Sequence, residues 1–227
     1  METNRYVPKN ISEVQFVVAE SYKTIRTNLL FLLSNTPECK VVTVSSPQAG
    51  DGKTTNAINI AIAFSQLGKK VLLLDCDLRR PTVAKRLRVE FEKGMADLLA
   101  GFATAEETII NISENFDILP AGAIPPNPSE MLASAAMDTL LDELRKVYDF
   151  IIIDTPPLGI VSDPLVIAPK TDGIVVIVKQ KATRHVELGK VLDRIKLSNV
   201  HLLGVLLNSA KQEKRYYSYK NSYKTYY

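Results

Sequence analysis

The chain has 227 residues, 46% hydrophobic and 23% charged, which suits a single α/β domain able to bury its own core without disulfides or metals. Its two cysteines, Cys39 and Cys76, belong to no CxxC or Cys/His cluster, which argues against a zinc or iron–sulfur site and for reduced, buried thiols. A net charge of +3 is too small to imply a nucleic-acid partner, and neither a signal-like leader nor a run of about 18 apolar residues occurs, so a cytoplasmic chain is expected.

In chain order, residues 12–34 (SEVQFVVAESYKTIRTNLLFLLS) predict a leading helix that opens at Ser12 and closes before Pro37. KVVTVSS at 40–46, KVLLLDCD at 70–77, FDILPAG at 116–122, DFIIIDTPP at 149–157, GIVVIVKQ at 173–180 and HLLGVLLNS at 201–209 read as strands. Runs this uniformly apolar have both faces covered. They predict an α/β fold with a mostly parallel central sheet flanked by helices on both faces, and ligands bound beyond the carboxyl ends of the strands. Between the third and fourth runs, PPNPSEMLASAAMDTLLDELRKVYD predicts one helix capped by Asn127 or Ser129, with Leu132, Ala136, Leu140, Leu141 and Leu144 as its apolar stripe.

SPQAGDGKTT, residues 46–55, lies between the first strand and the helical pattern NAINIAIAFSQLG, the context of a phosphate-binding P-loop. Gln48, Ala49, Gly50, Asp51, Gly52, Lys53, Thr54 and Thr55 are the candidate nucleotide-binding positions, with Lys53 reaching the β and γ phosphates and Thr54 holding Mg²⁺. Gly50 and Gly52 let the backbone approach, whereas Pro47 stands where the pattern has its first glycine and removes one donor. Asp154, after a run of apolar β residues, has the place of a Walker B aspartate that holds Mg²⁺. Asp75 and Asp77 lie two apart at a strand end and are expected on one side of it, where two carboxylates repel unless a cation or proton lies between them.

In combination and order, SPQAGDGKTT, VLLLDCDLRRPT and FIIIDTPP resemble the bacterial tyrosine kinases (BY-kinases) of capsule and exopolysaccharide assembly. The resemblance covers nearly the whole chain, including ESYKTIRTN, GAIPPNPSEML and the tyrosine-rich end, and is to the form in which the kinase is separate from its membrane activator. It implies a P-loop NTPase fold, ATP and Mg²⁺ as cofactors, catalytic Lys53, Asp75 and Asp77, and Mg²⁺ held by Thr54, Asp77 and Asp154. Asp75 would take the proton of the acceptor tyrosine. It further implies a transmembrane activator whose cytoplasmic segment completes the nucleotide site and recruits the chain to the inner face of the membrane. The family's ExxRxxR ring contact is matched by Glu20, Lys23 and Arg26, implying a homo-oligomeric ring. Lys23 lacks the planar fork of arginine, and on the residues alone such charges read as a plain surface pair. Asn208 either contacts adenine, as its counterparts do in related ATPases, or closes a turn. The MinD and ParA ATPases share all three motifs but carry an extra P-loop lysine where this chain has Gln48. That favours the kinase branch and leaves a non-kinase ATPase switch as the alternative.

Six of the nine tyrosines, Tyr216, Tyr217, Tyr219, Tyr223, Tyr226 and Tyr227, fall in the last 12 residues, and five Lys/Arg against Glu213 give residues 211–227 a net +4. Such a polar stretch is expected to be disordered and to present the tyrosines as phosphoacceptors, each phosphate adding about −1.5 to −2 charges. On its own, interleaved Lys and Tyr would also suit RNA or single-stranded DNA. The expected organisation is thus an N-terminal helical oligomerisation segment at 1–37, a P-loop kinase domain at 38–210 and a tyrosine-rich tail at 211–227. The expected function is an ATP-dependent tyrosine kinase that phosphorylates its own tail, with other proteins as further substrates.

Overall fold

The computed structural model describes residues 13–36 and 39–210, so Ser12, Pro37 and the tail tyrosines lie outside the described residues. Helix α1 (Glu13–Leu32) leads into β1 (Lys40–Ser45), α2 (Lys53–Ser65) and β2 (Val71–Asp75). Three short helices, α3 (Val83–Leu87), α4 (Met95–Leu99) and α5 (Ala105–Thr108), precede β3 (Ile110–Ser113) and β4 (Phe116–Leu119). Then come α6 (Pro128–Ala133), α7 (Ala135–Arg145), β5 (Phe150–Asp154), α8 (Asp163–Ile167), a 3₁₀ turn (Ala168–Lys170), β6 (Gly173–Lys179), α9 (His185–Leu197) and β7 (Leu202–Asn208).

The strands form one sheet in the order β3-β4-β2-β5-β1-β6-β7, with every pair parallel except β3 and β4. This is the expected mostly parallel architecture, plus one strand the sequence pattern did not mark. β3 is four residues long, antiparallel, and placed at the edge, so a continuous apolar run is not required of it. The central strands alternate sides: Val42, Val44, Leu73 and Ile152 join α1 and α2 in one core, while Val41, Leu72, Leu74 and Ile153 face α7 in another. Ile174, Val176 and Val178 of β6 meet Val191 and Ile195 of α9. Leu29 and Leu33 are buried with Phe64 of α2, which ties α1 into the first core.

The single helix expected after Pro128 is two. Ser134 ends α6 and caps α7, its Oγ donating to Met131 O at 2.7 Å and accepting from Met137 N–H at 3.4 Å. The break rotates the stripe, so Met137 is buried and Ala136 is exposed, while Leu132, Leu140, Leu141 and Leu144 are inside as expected. Among the described residues no helix is long and apolar enough to cross a membrane.

What positions the site is register. Asp154 at the end of β5 lies beside Asp75 of β2 on one side and Val44 of β1 on the other, so the P-loop emerges next to both acidic strand ends. Beneath that junction the Phe64 and Phe150 rings stack with centroids 3.9 Å apart. Phe64 is fully buried, and Phe64→Ala is expected to cost roughly 3–5 kcal/mol. Urea unfolding measures it, and a loss below about 1 kcal/mol would show that the stack does not anchor α2 to the sheet.

Candidate active site

The P-loop is shaped by its own aspartate. Asp51 is buried, and its Oδ2 accepts Gln48 N–H at 2.9 Å while its Oδ1 accepts the Thr183 hydroxyl at 2.8 Å. Its carbonyl accepts Asn208 Nδ2–H at 2.8 Å. Three segments thereby converge on one residue and fix the shape of the loop. Gly52 caps α2 with φ +99°, and a Cβ there would come within 2.1 Å of Asn208 Nδ2, so both its conformation and its packing require glycine. Pro47 costs the loop a donor but does not distort it: its carbonyl packs so closely on Gly159 that a Cβ at 159 would lie 2.1 Å away.

Beyond the loop lies a cavity of about 580 Å³. Ala49, Gly50, Gly52, Lys53, Thr54 and Thr55 line it, as does Asn208, whereas Gln48 and Asp51 do not. The Gln48 amide is instead directed at Asp51. Asn208 closes a turn, one of the two roles open to it, since its Oδ1 accepts Ser209 N–H at 2.8 Å, and it still borders the cavity.

At the floor, Lys53 Nζ donates to Asp77 Oδ2 at 2.8 Å and sits 3.8 Å from Asp154 Oδ2. The Thr54 hydroxyl donates to Asp154 Oδ2 at 2.7 Å, and Asp154 Oδ1 is buried with no hydrogen-bond partner among the described residues. Burial opposes the charge of Lys53, but the carboxylates of Asp154 and Asp77 outweigh it and raise its pKa. For Asp154, burial prevails over the neighbouring Lys53 cation and pushes the carboxyl up to about 6.

Asp75 and Asp77 both act on Lys53 but make different contacts. The strand ends at Asp75, and pleat alternation no longer governs the residues after it. Asp75 is 1% exposed and does not line the cavity; its oxygens accept the N–H groups of Asp77 at 3.2 Å, Thr82 at 3.1 Å and Val83 at 3.0 Å. Burial and then the Asp154 charge push it up to about 7. Asp77 instead lines the cavity, joining Lys53 through Oδ2 and Arg80 N–H through Oδ1 at 3.0 Å.

Several contributors were not legible in the sequence. Arg79 makes a two-pronged pair with buried Asp163 at 2.7 and 3.0 Å, and Ser129 donates to the same carboxylate at 2.6 Å. Thr82 and Arg86 approach Thr54 and Thr55 at 3.3 and 3.0 Å. Only Asp163 carried any local signal, as an acid opening a helix. On α1, Glu20 and Lys23 pair with each other at 2.6 Å on the surface, and Arg26 donates to Ala63 O of α2 at 2.8 Å.

The sequence matches the AAA domain family over residues 39–203. It is 35% identical over 218 residues to the tyrosine-protein kinase YwqD of Bacillus subtilis, covering 94% of this chain and 92% of that one. Among solved structures, the kinase domain of Escherichia coli tyrosine kinase ETK matches with TM-score 0.84 at 28% identity, covering 92% and 84% of the two chains. The chimerical protein CapA2B2 matches at 0.82 with 33% identity over 90% and 88%. The septum site-determining protein MinD of Pyrococcus horikoshii, complexed with Mg-ADP, is a weaker match at 0.65, with 27% identity over 78% and 73%.

The raised carboxyls fix a pH dependence. A carboxyl whose pKa is higher folded than unfolded stabilises the fold below its unfolded value near 4, and that contribution is lost as pH rises through the folded value, about 6 for Asp154. In EDTA, Asp154→Asn should therefore be more stable than the parent at pH 8 by on the order of 1–2 kcal/mol, with the gain shrinking at pH 5. Urea unfolding at both pH values checks this, and a variant less stable than the parent at pH 8 would contradict it.

Proposed function

This chain belongs to the bacterial tyrosine-protein kinases, on the nucleotide-binding P-loop NTPase fold, and from that premise we propose that it transfers the γ-phosphoryl group of ATP to tyrosines of its own C-terminal segment. One observation carries the proposal. The Lys53, Thr54 and Asp77 cluster opens into the same cavity as Asn208 and Ser209, the residues from which the tyrosine-rich segment departs.

The residues fit a magnesium ion. Thr54, Asp77 and Asp154 are oxygen donors of the hard kind that Mg²⁺ prefers, and the unpartnered Asp154 Oδ1 and the raised Asp154 carboxyl both mark a place short of positive charge. Thr54, Asp77 and Asp154 would hold the ion, which would supply positive charge against the transferred group. Lys53 supplies a fixed cation, turning from Asp77 to the phosphate oxygens, while the amides at the start of α2 hold the phosphates in place. The acceptor phenol oxygen bonds to the γ-phosphorus, the bond to the bridging oxygen breaks and ADP leaves. Asp75, the carboxyl pushed highest, takes the phenolic proton, which requires the 77–83 segment that covers it to yield.

The reading extends to assembly. The 13–32 helix serves an oligomeric ring through Glu20, Lys23 and Arg26, residues 38–210 form the catalytic unit, and residues 211–227 are the substrate tail. A transmembrane activator completes the site and brings the chain to the inner face of the membrane, where it regulates capsule or exopolysaccharide synthesis. Two or three phosphates cancel or reverse the +4 of the tail, which removes the attraction by which an unmodified tail holds the ring.

Incubation with γ-labelled ATP, Mg²⁺ and a fragment of the activator tests the reading. Label is expected on the tail tyrosines, and Lys53→Met should lower it by a hundredfold or more, since the fixed cation acts in the transition state. Replacing Tyr216, Tyr217, Tyr219, Tyr223, Tyr226 and Tyr227 by Phe should remove nearly all of it while leaving ADP affinity unchanged. Release of phosphate with no labelled protein would instead assign an ATPase switch.

A further inference from the structure

The cavity has two unlike ends. β1 delivers the P-loop to its middle; on one side β6 and β7 deliver Lys179, Asn208 and Ser209, on the other β2 delivers Asp77, Arg79 and Arg80, and the 156–161 loop after β5 crosses the end of β1, with Leu158 buried against β6 and α9. The Lys53–Asp77 pair and the Thr54–Asp154 bond lie toward the second side, so the terminal phosphate belongs there. A phenol oxygen in line with that phosphorus must carry its ring outward on the same side.

The two walls of that end differ in chemistry. The wall at 79–86 contributes Arg79, Arg80, Thr82 and Arg86. A second part of the lining is apolar and comes from a single loop: Pro156, Pro157, Ile160 and Val161. Ile160 is 63% exposed, yet its loop is not slack. Ser45 Oγ donates to Pro156 O at 2.8 Å and accepts Leu158 N–H at 3.1 Å; Arg194 donates to Leu158 O at 2.5 Å; and Gly159 is seated on the Pro47 carbonyl. An isoleucine on an immobilised backbone at the mouth of a phosphate cavity is a surface made to receive something flat and apolar.

Resting on the kinase reading above, we propose that Pro157, Ile160 and Val161 form the ledge on which the acceptor tyrosine ring lies, and that the ring comes from the segment following Ala210. The chain leaves the described fold at Asn208 and Ser209, both of which line this cavity. Fully extended, the chain reaches on the order of 20 Å from Ala210 at Tyr216 and on the order of 60 Å at Tyr227, so the later tail tyrosines have the greatest reach toward the ledge. Arg80 and Arg86, which line the same cavity, suit the face of an aromatic ring and the charge developing on the phosphoryl group. The ledge makes the site selective for a phenol over an aliphatic hydroxyl, because a serine would leave the apolar wall uncovered.

The test uses the full chain with Mg·ATP, the activator fragment and a synthetic peptide of residues 211–227, phosphotyrosine being followed by mass spectrometry against peptide concentration. Ile160→Ser should raise the peptide KM about tenfold with kcat within about twofold of the parent. Ile160→Val should restore a KM near the parent value, and Mg·ADP affinity should be the same in all three. A peptide KM unchanged in Ile160→Ser would overturn the ledge. So would a parallel loss of ADP affinity, which would put Ile160 in the nucleotide site. Absence of phosphotyrosine from the parent chain is a different result, and it would overturn the kinase reading together with the ledge.

Discussion

One lysine set among three buried carboxylates governs this molecule. Lys53 reaches Asp77 at 2.8 Å and Asp154 at 3.8 Å, and Asp75 adds its charge to the same neighbourhood. Burying so many charges without enough counter-charge is costly, and the cost appears as carboxyls pushed up to about 6 and about 7. The arrangement persists because parallel register holds Asp75 and Asp154 side by side and the P-loop helix brings Lys53 to them. A bound cation would supply the counter-charge that the protein alone lacks.

Rigidity around that point comes from polar contacts between distant segments. Asp51 gathers the amide of Gln48, the hydroxyl of Thr183 and the side chain of Asn208, so the phosphate loop is shaped by the protein's own contacts. Arg79 and Asp163 tie the segment after β2 to α8, and Ser129 joins them from α6. Pro47, unusual at its position, serves as the platform for Gly159 and so relates the nucleotide loop to the apolar wall. A fixed donor site and a fixed acceptor wall favour in-line transfer, where misplacement by an ångström is expensive.

Much of this was readable from residues in order. The apolar runs marked the sheet and its two covered faces, and Lys53, Thr54 and Asp154 came from spacing within short motifs whose geometry is local. The features that escaped depended on distance along the chain or on where an element stops. Asp51 and Thr183 are 132 positions apart, and Arg79 and Asp163 are 84 apart, with no pattern linking either pair. Asp75 and Asp77 take different partners as the strand ends at Asp75, and Ala136 yields to Met137 because Ser134 interrupts a helix that periodicity alone would continue. The β3 strand escaped because an antiparallel edge strand of four residues needs no continuous apolar run.

The most direct measurement of the central claim is thermal unfolding at pH 8 with ADP in EDTA, with Mg²⁺ alone, and with both. If the carboxylate cluster is a nucleotide site short of one cation, the melting temperature rises by several degrees only when ADP and Mg²⁺ are present together. An equal rise with ADP in EDTA would contradict the account, because the three carboxylates would then have no part in holding the nucleotide.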